Sequence, residues 1–401
     1  MSTRFFHVSV TAIYSSILMT TYALEISDSW SYMGFQTIDS VLRALGGAAG
    51  VLLLAVFIPY RLDTRSFLLV LTHYIFLVPS SIMLATGNLN VRYIMALMIS
   101  SALLFATSAI PFRTLGVSRL TKKHFFFAIS VMLVSTVALM AAYGGLENFN
   151  LNILRVYEFR DLAENSIPNI FGYFFSGISK IVAPMSLVLA LYFRSHSLFL
   201  LSLFSVILLF GMTSHKSVLF FPLFVLIFYA LLRRAKNTRT TGLVFLGVGI
   251  VAIMEIIYIS VVDSSVTPLF NGIFVRRALF VPPLIDQLYV EYFSENAKLY
   301  WSTSRLGLGI ATNPYDIAAP FLIGREFFGK QEMSANSGII GGGFSHAGLV
   351  GVAIYSAMAG LFLAFLQAYG RIIGHAFVSA ASLSVFMSVV TSTDFTTAIL
   401  T

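Results

Sequence analysis

Apolar runs long enough to cross a bilayer core recur along almost the whole chain, separated by polar connections. They fall near 7–24, 40–60, 66–85, 91–110, 124–144, 170–193, 197–212, 217–232, 242–262, 344–366 and 373–392. A spanning helix needs about 20 mostly apolar residues. The pattern therefore predicts an all-α, polytopic transmembrane helical bundle of about 11 spans, within a range of 10–12. Two long polar intervals interrupt it, at 145–169 and 263–343. The expected organisation is a bundle over 1–262, a large extramembrane loop over 263–343 and C-terminal membrane helices over 344–401, all in one integrated domain. Inside the large loop, Leu284, Ile285, Leu288, Tyr289 and Tyr292 repeat at helical spacing, with Asp286, Glu291 and Glu295 opposite. That spacing predicts an amphipathic helix lying on the membrane surface or on the bundle. The closing "TSTDFTTAILT" is compatible with an outer end, a re-entrant turn or a short last helix.

Composition agrees with the pattern. The 401 residues are 58% hydrophobic and 10% charged, with a mean hydropathy of +0.87. A soluble domain carries about a quarter charged residues, so that class is excluded. The net charge of +8 is informative only when divided by side. Alternate connections are basic: Arg4, then Arg61 and Arg65, then Arg113, Arg119, Lys122 and Lys123. Arg194, the group Arg233, Arg234, Lys236 and Arg239, and finally Arg371 continue the series, against the single acid Asp63. Lysine and arginine mark cytoplasmic loops. This predicts a cytoplasmic N-terminus and long intervals on the periplasmic or external side. The first apolar run has no small-residue cleavage site and is expected to remain as a membrane helix. With no cysteine, disulfides and thiolate chemistry are excluded.

Cations on the outer side run against this bias and are the first candidates for chemistry. Arg276 and Arg277 have no acid within eight residues. Their planar guanidinium groups suit phosphate, although lipid headgroups or a distant carboxylate would also satisfy them. Arg160 has Glu164 four residues on, so a helical ion pair competes with anion binding. Arg305 and Arg325 are further outer arginines. Lys216 lies at the tip of the hairpin 197–232, whose two spans of about 16 residues rise roughly 24 Å against a core of about 30 Å. Its tip is expected to sit recessed at a helix N-terminus that favours an anion; a snorkelling lysine is the alternative.

The stretch "SANSGIIGGGFSHAGLVGVAIYS" places His346 at the lip of the run 344–366 behind a glycine-rich segment. In the first turn of a helix the positive dipole end favours the neutral ring, which can take a proton. The competing reading is a capping histidine, with glycines that serve only helix packing. Asn336 could orient a hydroxyl or a phosphate oxygen, and Tyr300 and Trp301 could stack on a sugar or belong to the interfacial belt. The histidines show no i, i+3 or i, i+4 pair, and the first outer loop, with Glu25, Asp28 and Asp39, offers no closely spaced acid pair to seat a divalent ion, so no metal is expected. Nucleophile elbow, P-loop and dinucleotide fingerprint are all missing, and no cofactor is expected.

Residues 302–356, "STSRLGLGIATNPYDIAAPFLIGREFFGKQEMSANSGIIGGGFSHAGLVGVAIYS", resemble the last large periplasmic loop of the Wzy-type O-antigen polymerases. "NILRVYEFRDLAENS" and "GMTSHKSVLFFPL" fit the same pattern. The resemblance implies a GT-C-like architecture and an oligosaccharide repeat unit polymerase for lipopolysaccharide O-antigen. Such an enzyme performs metal-independent, inverting glycosyl transfer, with donor and acceptor both carried on undecaprenyl diphosphate. Implied partners are these lipid-linked oligosaccharides, membrane lipids and a polysaccharide chain-length regulator, with no nucleic acid. An arginine role carries over to Arg160, but the family's arginine-to-glycine loop spacing does not, because Gly172 already enters a helix. Related ligases place a histidine just before a late helix, where His346 stands.

The resulting assignment gives catalysis to His346, Arg277 and Arg160, and diphosphate binding to Lys216, Arg276, Arg305, Arg325 and Asn336. Tyr300 and Trp301 contact sugar. An O-antigen ligase is the nearest alternative. A flippase or transporter would need ionisable residues along the bundle midplane, where the spans hold few, Glu255 and Lys180 among them.

Overall fold

The computed structural model describes residues 3–87, 90–114, 122–147, 149–153, 155, 175, 177–262, 266–304 and 307–400. This part is all-helical, without strands. Helix α1 (Thr3–Thr21) runs on through a π-helical turn, Tyr22–Ile26. Then come α2 (Val41–Val56), α3 (Thr64–Met83) and α4 (Val91–Thr107). Next are α5 (Lys122–Met140), α6 (Ala183–Tyr192), α7 (His196–Thr213), α8 (Lys216–Arg234) and α9 (Arg239–Val261). A π-helical stretch, Asn271–Phe280, leads directly into α10 (Val281–Glu295). After α11 (Ala319–Phe328) the chain closes with α12 (Ile339–Ile373), α13 (His375–Thr391) and the short α14 (Phe395–Leu400). Among the described residues, six helices are long and apolar enough to cross a membrane: α3, α5 with its extension to Gly145, α7, α8, α9 and α12. Helices α2, α4, α6 and α13 are shorter and apolar.

Polar residues at the ends of the runs start the helices. Asp63 accepts from the Ser66 N–H at 2.8 Å to open α3, and Asn90 accepts from the Arg92 N–H at 2.9 Å to open α4. Each satisfies a donor that a helix N-terminus leaves without a partner. Glu255, on α9, does the same for another helix. Its two carboxylate oxygens accept from the N–H groups of Leu269, Phe270 and Asn271 at 2.7–2.8 Å.

The chain groups into two units. The first holds Met1–Pro111, Lys236–Ala364 and Met387–Leu400; the second holds Phe112–Ala235 and Phe365–Phe386. In the first, α3 is surrounded by protein along 94% of its apolar window, as a helix that is apolar on every face should be. Tyr14, Tyr74 and Phe245 stack and cross beside it. Its neighbour α2 comes close through Gly47, where a Cβ would meet the Ser81 backbone. In the second unit, Leu133, Leu187, Leu189, Leu198 and Val206 form the core.

Contacts between connections in the first unit follow the alternation of the sequence. The Asp39 N–H donates to Ala85 O at 3.0 Å, Arg43 donates to Gly87 O, and Arg92 donates to Ser294 O at 2.8 Å. All of these lie in segments expected outside. At the other end, the Thr238 N–H donates to Tyr60 O at 3.2 Å and Arg65 Nε donates to Ser108 Oγ at 3.1 Å, all in segments expected inside.

Candidate active site

The segment expected to be an open loop before His346 is helical from Ile339 and almost wholly buried through His346. The helix breaks at Ala347 (φ −146°, ψ 29°) and Gly348 (φ 61°, ψ −142°). Residues eight apart in a straight helix are about 12 Å apart. Here a Cβ on Gly343 would lie 2.7 Å from Gly351 O, and one on Gly351 would fall on the Gly343 carbonyl. The chain therefore doubles back, and the glycines permit backbone-to-backbone packing rather than loop freedom. A Cβ on Gly338 would likewise strike the Val390 backbone. His346 thus ends an eight-residue arm instead of opening a long helix, and the helix-dipole premise for its neutrality does not hold.

Hydrogen bonding supplies another reason for the neutral form. The Trp301 main-chain N–H donates to His346 Nδ1 at 3.1 Å. A backbone N–H can only donate, so Nδ1 holds the lone pair and Nε2 the hydrogen. Nε2 faces Asp394 Oδ2 at 3.3 Å. Tyr355 O–H donates to the same oxygen at 3.1 Å and itself accepts from Trp301 Nε1 at 3.1 Å. Asp394 Oδ1 accepts from the Thr396 N–H at 2.9 Å, the Thr397 N–H at 3.3 Å and the Thr396 hydroxyl, which opens α14. Burial pushes the Asp394 carboxyl up, but the hydrogen bonds from His346, Thr396 and Tyr355 prevail and hold it below the usual carboxylate value. The Trp301 ring lies flat on the imidazole, 5.4 Å between centroids and 9° from parallel. The His346 side chain is only 4% exposed, against 27% for Asp394.

Beneath the arm lies a second buried acid. Asp286 Oδ1 accepts from Ser337 Oγ at 2.5 Å and from the Gly341 N–H at 3.1 Å, and Ser337 Oγ accepts from the Gly342 N–H at 3.1 Å. The carboxylate thereby ties α10 to the start of the arm that ends in His346. Asp286 was expected on the polar face of an amphipathic helix; it is fully buried, and only Glu291 and Glu295 remain on the exposed side. The arm packs on the Asp286 side of the helix, so that part of its polar face meets protein while Glu291 and Glu295 stay exposed. Burial, opposed by Ser337 and Gly341, pushes Asp286 up to about 7.

The remaining candidates are spread out. Arg276 is buried, its guanidinium 5.1 Å over the Trp30 ring and 3.0 Å from Met33 Sδ, whereas Arg277 is exposed. Successive helical residues project in different directions, so the two do not form one clamp. Arg325 pairs with Glu326 at 3.2 Å and Asp316 at 3.8 Å. Asn336 is exposed and accepts from Ser334 Oγ at 3.2 Å. Tyr300 is 60% exposed, and its N–H donates to His346 O at 3.1 Å. Lys216 is half-buried at the first position of α8, in the second unit. Arg160, Glu164, Gly172, Arg305 and the Lys180 side chain lie outside the described residues. Of the candidates, the structure brings His346, Trp301 and the Tyr300 backbone together. It adds Asp394, Tyr355 and Asp286, which the sequence reading did not select. The "DFTT" beginning at Asp394 is an N-cap pattern and could have marked the last helix.

Among the described residues no group of three histidine, aspartate or glutamate side chains is placed to hold a metal ion. No family model, curated protein or solved structure matches this chain. Fold and site together define an all-helical protein with several helices able to cross a membrane. It carries a covered histidine–aspartate pair at the end of its first unit.

Proposed function

We propose that the protein is an O-antigen polymerase of the Wzy type. It would be a glycosyltransferase that joins oligosaccharide repeat units carried on undecaprenyl diphosphate at the periplasmic face of the inner membrane. The observation that supports this best is the polarity of the His346–Asp394 pair. Nε2–H points at a carboxylate and the Nδ1 lone pair points away from it, the arrangement a general base needs. The acceptor hydroxyl gives its proton to Nδ1 while its oxygen bonds to the anomeric carbon of the donor. The bond from that carbon to the diphosphate breaks, and the electron pair leaves on phosphate oxygen. Asp394 stabilises the imidazolium, which later returns its proton to water. Direct displacement of this kind inverts the anomeric centre. Arg277, exposed to solvent, is the cation assigned to the departing diphosphate, whereas Arg276 is engaged on Trp30 and Met33. The transporter alternative loses its main intramembrane acid, because Glu255 is engaged as a helix cap.

Incubating the purified protein with lipid-linked repeat units in a chelator tests the reading. A ladder of polymers is expected. Transfer of one glycan to a lipid A-core acceptor without a ladder would make it a ligase, and no transfer at all would defeat both.

A further inference from the structure

We propose that the face of His346 now covered by Trp301 is the acceptor subsite, and that residues 298–304 occupy it when no substrate is bound. This deepens the proposed function and rests on it. A general base meets its proton through a lone pair, and the lone pair of Nδ1 is taken by a donor at 3.1 Å, the Trp301 N–H. That donor has the polarity and distance of an acceptor hydroxyl about to be deprotonated. Flat against the same imidazole lies the indole, filling space that the face of a pyranose ring would fill. Two main-chain bonds hold the cover down, Leu299 N–H to Ser345 O at 2.9 Å and Tyr300 N–H to His346 O at 3.1 Å.

The cover is also strained. Tyr300 (φ 45°) and Trp301 (φ 58°) are consecutive non-glycine residues in the left-handed region, which a Cβ disfavours. Withdrawal relieves that strain, and the hydroxyl that replaces the N–H restores the lost hydrogen bond. The ligand is a neutral, hydroxyl-bearing sugar ring, since the Asp394 carboxylate close by would repel an anion. Once it is seated, its proton passes to Nδ1 and its oxygen bonds to the donor's anomeric carbon as the diphosphate departs.

Because the chain has no cysteine, a pair introduced as Lys298→Cys and Phe344→Cys can be joined uniquely. These side chains meet in the closed form, with Lys298 Nζ 4.6 Å from the Phe344 ring centre. A short reducible thiol bridge between them should slow extension of lipid-linked units at least tenfold, and reduction should restore it. Equal rates with the bridge intact and reduced would overturn the proposal. In a Trp30→Phe protein Trp301 is the only indole, because the chain has two tryptophans. A lipid-free repeat-unit oligosaccharide should raise acrylamide quenching of Trp301 about twofold and saturably; unchanged quenching counts against the subsite. If the oligosaccharide uncovers Trp301 but no lipid-linked unit is ever extended, the polymerase reading falls and the subsite stands. A ladder with an unmoved Trp301 sinks the subsite and leaves the polymerase.

Discussion

Single side chains here act through the atoms they leave uncommitted. His346 has one nitrogen on a carboxylate and the other on a backbone donor, so the proposed use of His346 as a base depends on what replaces the Trp301 N–H. His346→Ala is expected to lower the polymerisation rate about 10²–10⁴-fold, the usual worth of a general base, with the protein still inserted and folded by gel filtration. Arg277→Ala is expected to lower it about 10²–10³-fold, as loss of a transition-state charge partner does. Full-length polymer from either variant would remove that assignment.

Buried Asp286 and half-buried Asp394 respond to pH in opposite directions. Asp286 is raised to about 7 from 3.8, so the folded state keeps a proton that the unfolded chain releases. Stability should therefore fall as pH rises from about 4 to 7, by up to about 1.4 kcal/mol per unit, and be flat above. Asp286→Asn should abolish that slope in thermal melts. Asp394 is lowered, so its contribution is present above the unfolded value and is lost as pH falls through the folded one.

At the scale of elements, the late helix α12 behaves as two pieces. The sequence reading leaves Gly341, Gly342 and Gly343 in the large loop and begins the span at 344, yet the helix starts at Ile339, and Ala347 and Gly348 turn it back on itself. Gly343 and Gly351 share the contact, and each leaves no room for a Cβ. Gly351→Ala should destabilise the protein by about 1–3 kcal/mol through overpacking and displace the arm that carries His346. A lower melting temperature in detergent and a reduced rate should therefore appear together. The Glu255 cap is a second element-scale device. It joins α9 to the helical segment that holds both Arg276 and Asp286, and Glu255→Ala leaves three N–H groups without their acceptor, at a cost of at least about 1 kcal/mol.

At the largest scale, the first unit is ordered by alternation. Connections predicted on one side meet one another at one end of the first unit, among them Asp39 with Ala85 and Arg92 with Ser294, while Tyr60 meets Thr238 at the other end. His346 and Asp394, which bracket α12 and α13 in the chain, meet within the first unit. The basic connections are expected on the cytoplasmic side. A single cysteine at Asp316 should react with a membrane-impermeant thiol reagent in intact spheroplasts, and one at Asn237 only after permeabilisation. The reverse labelling would invert the topology.

The sequence by itself determined the class of protein, because bilayer-length apolar runs and one-sided basic connections are written residue by residue and need no neighbours to be read. It also picked out His346 and Trp301 by residue type and position. Only the tertiary structure decided that Asp394, forty-eight positions along the chain, is the imidazole's partner, that Asp286 is buried instead of surface-facing, and that the arginine pair is split. Partnership and burial depend on which helices lie side by side. That is settled by close packing at small residues such as Gly343 and Gly351, and no local period in the chain records it.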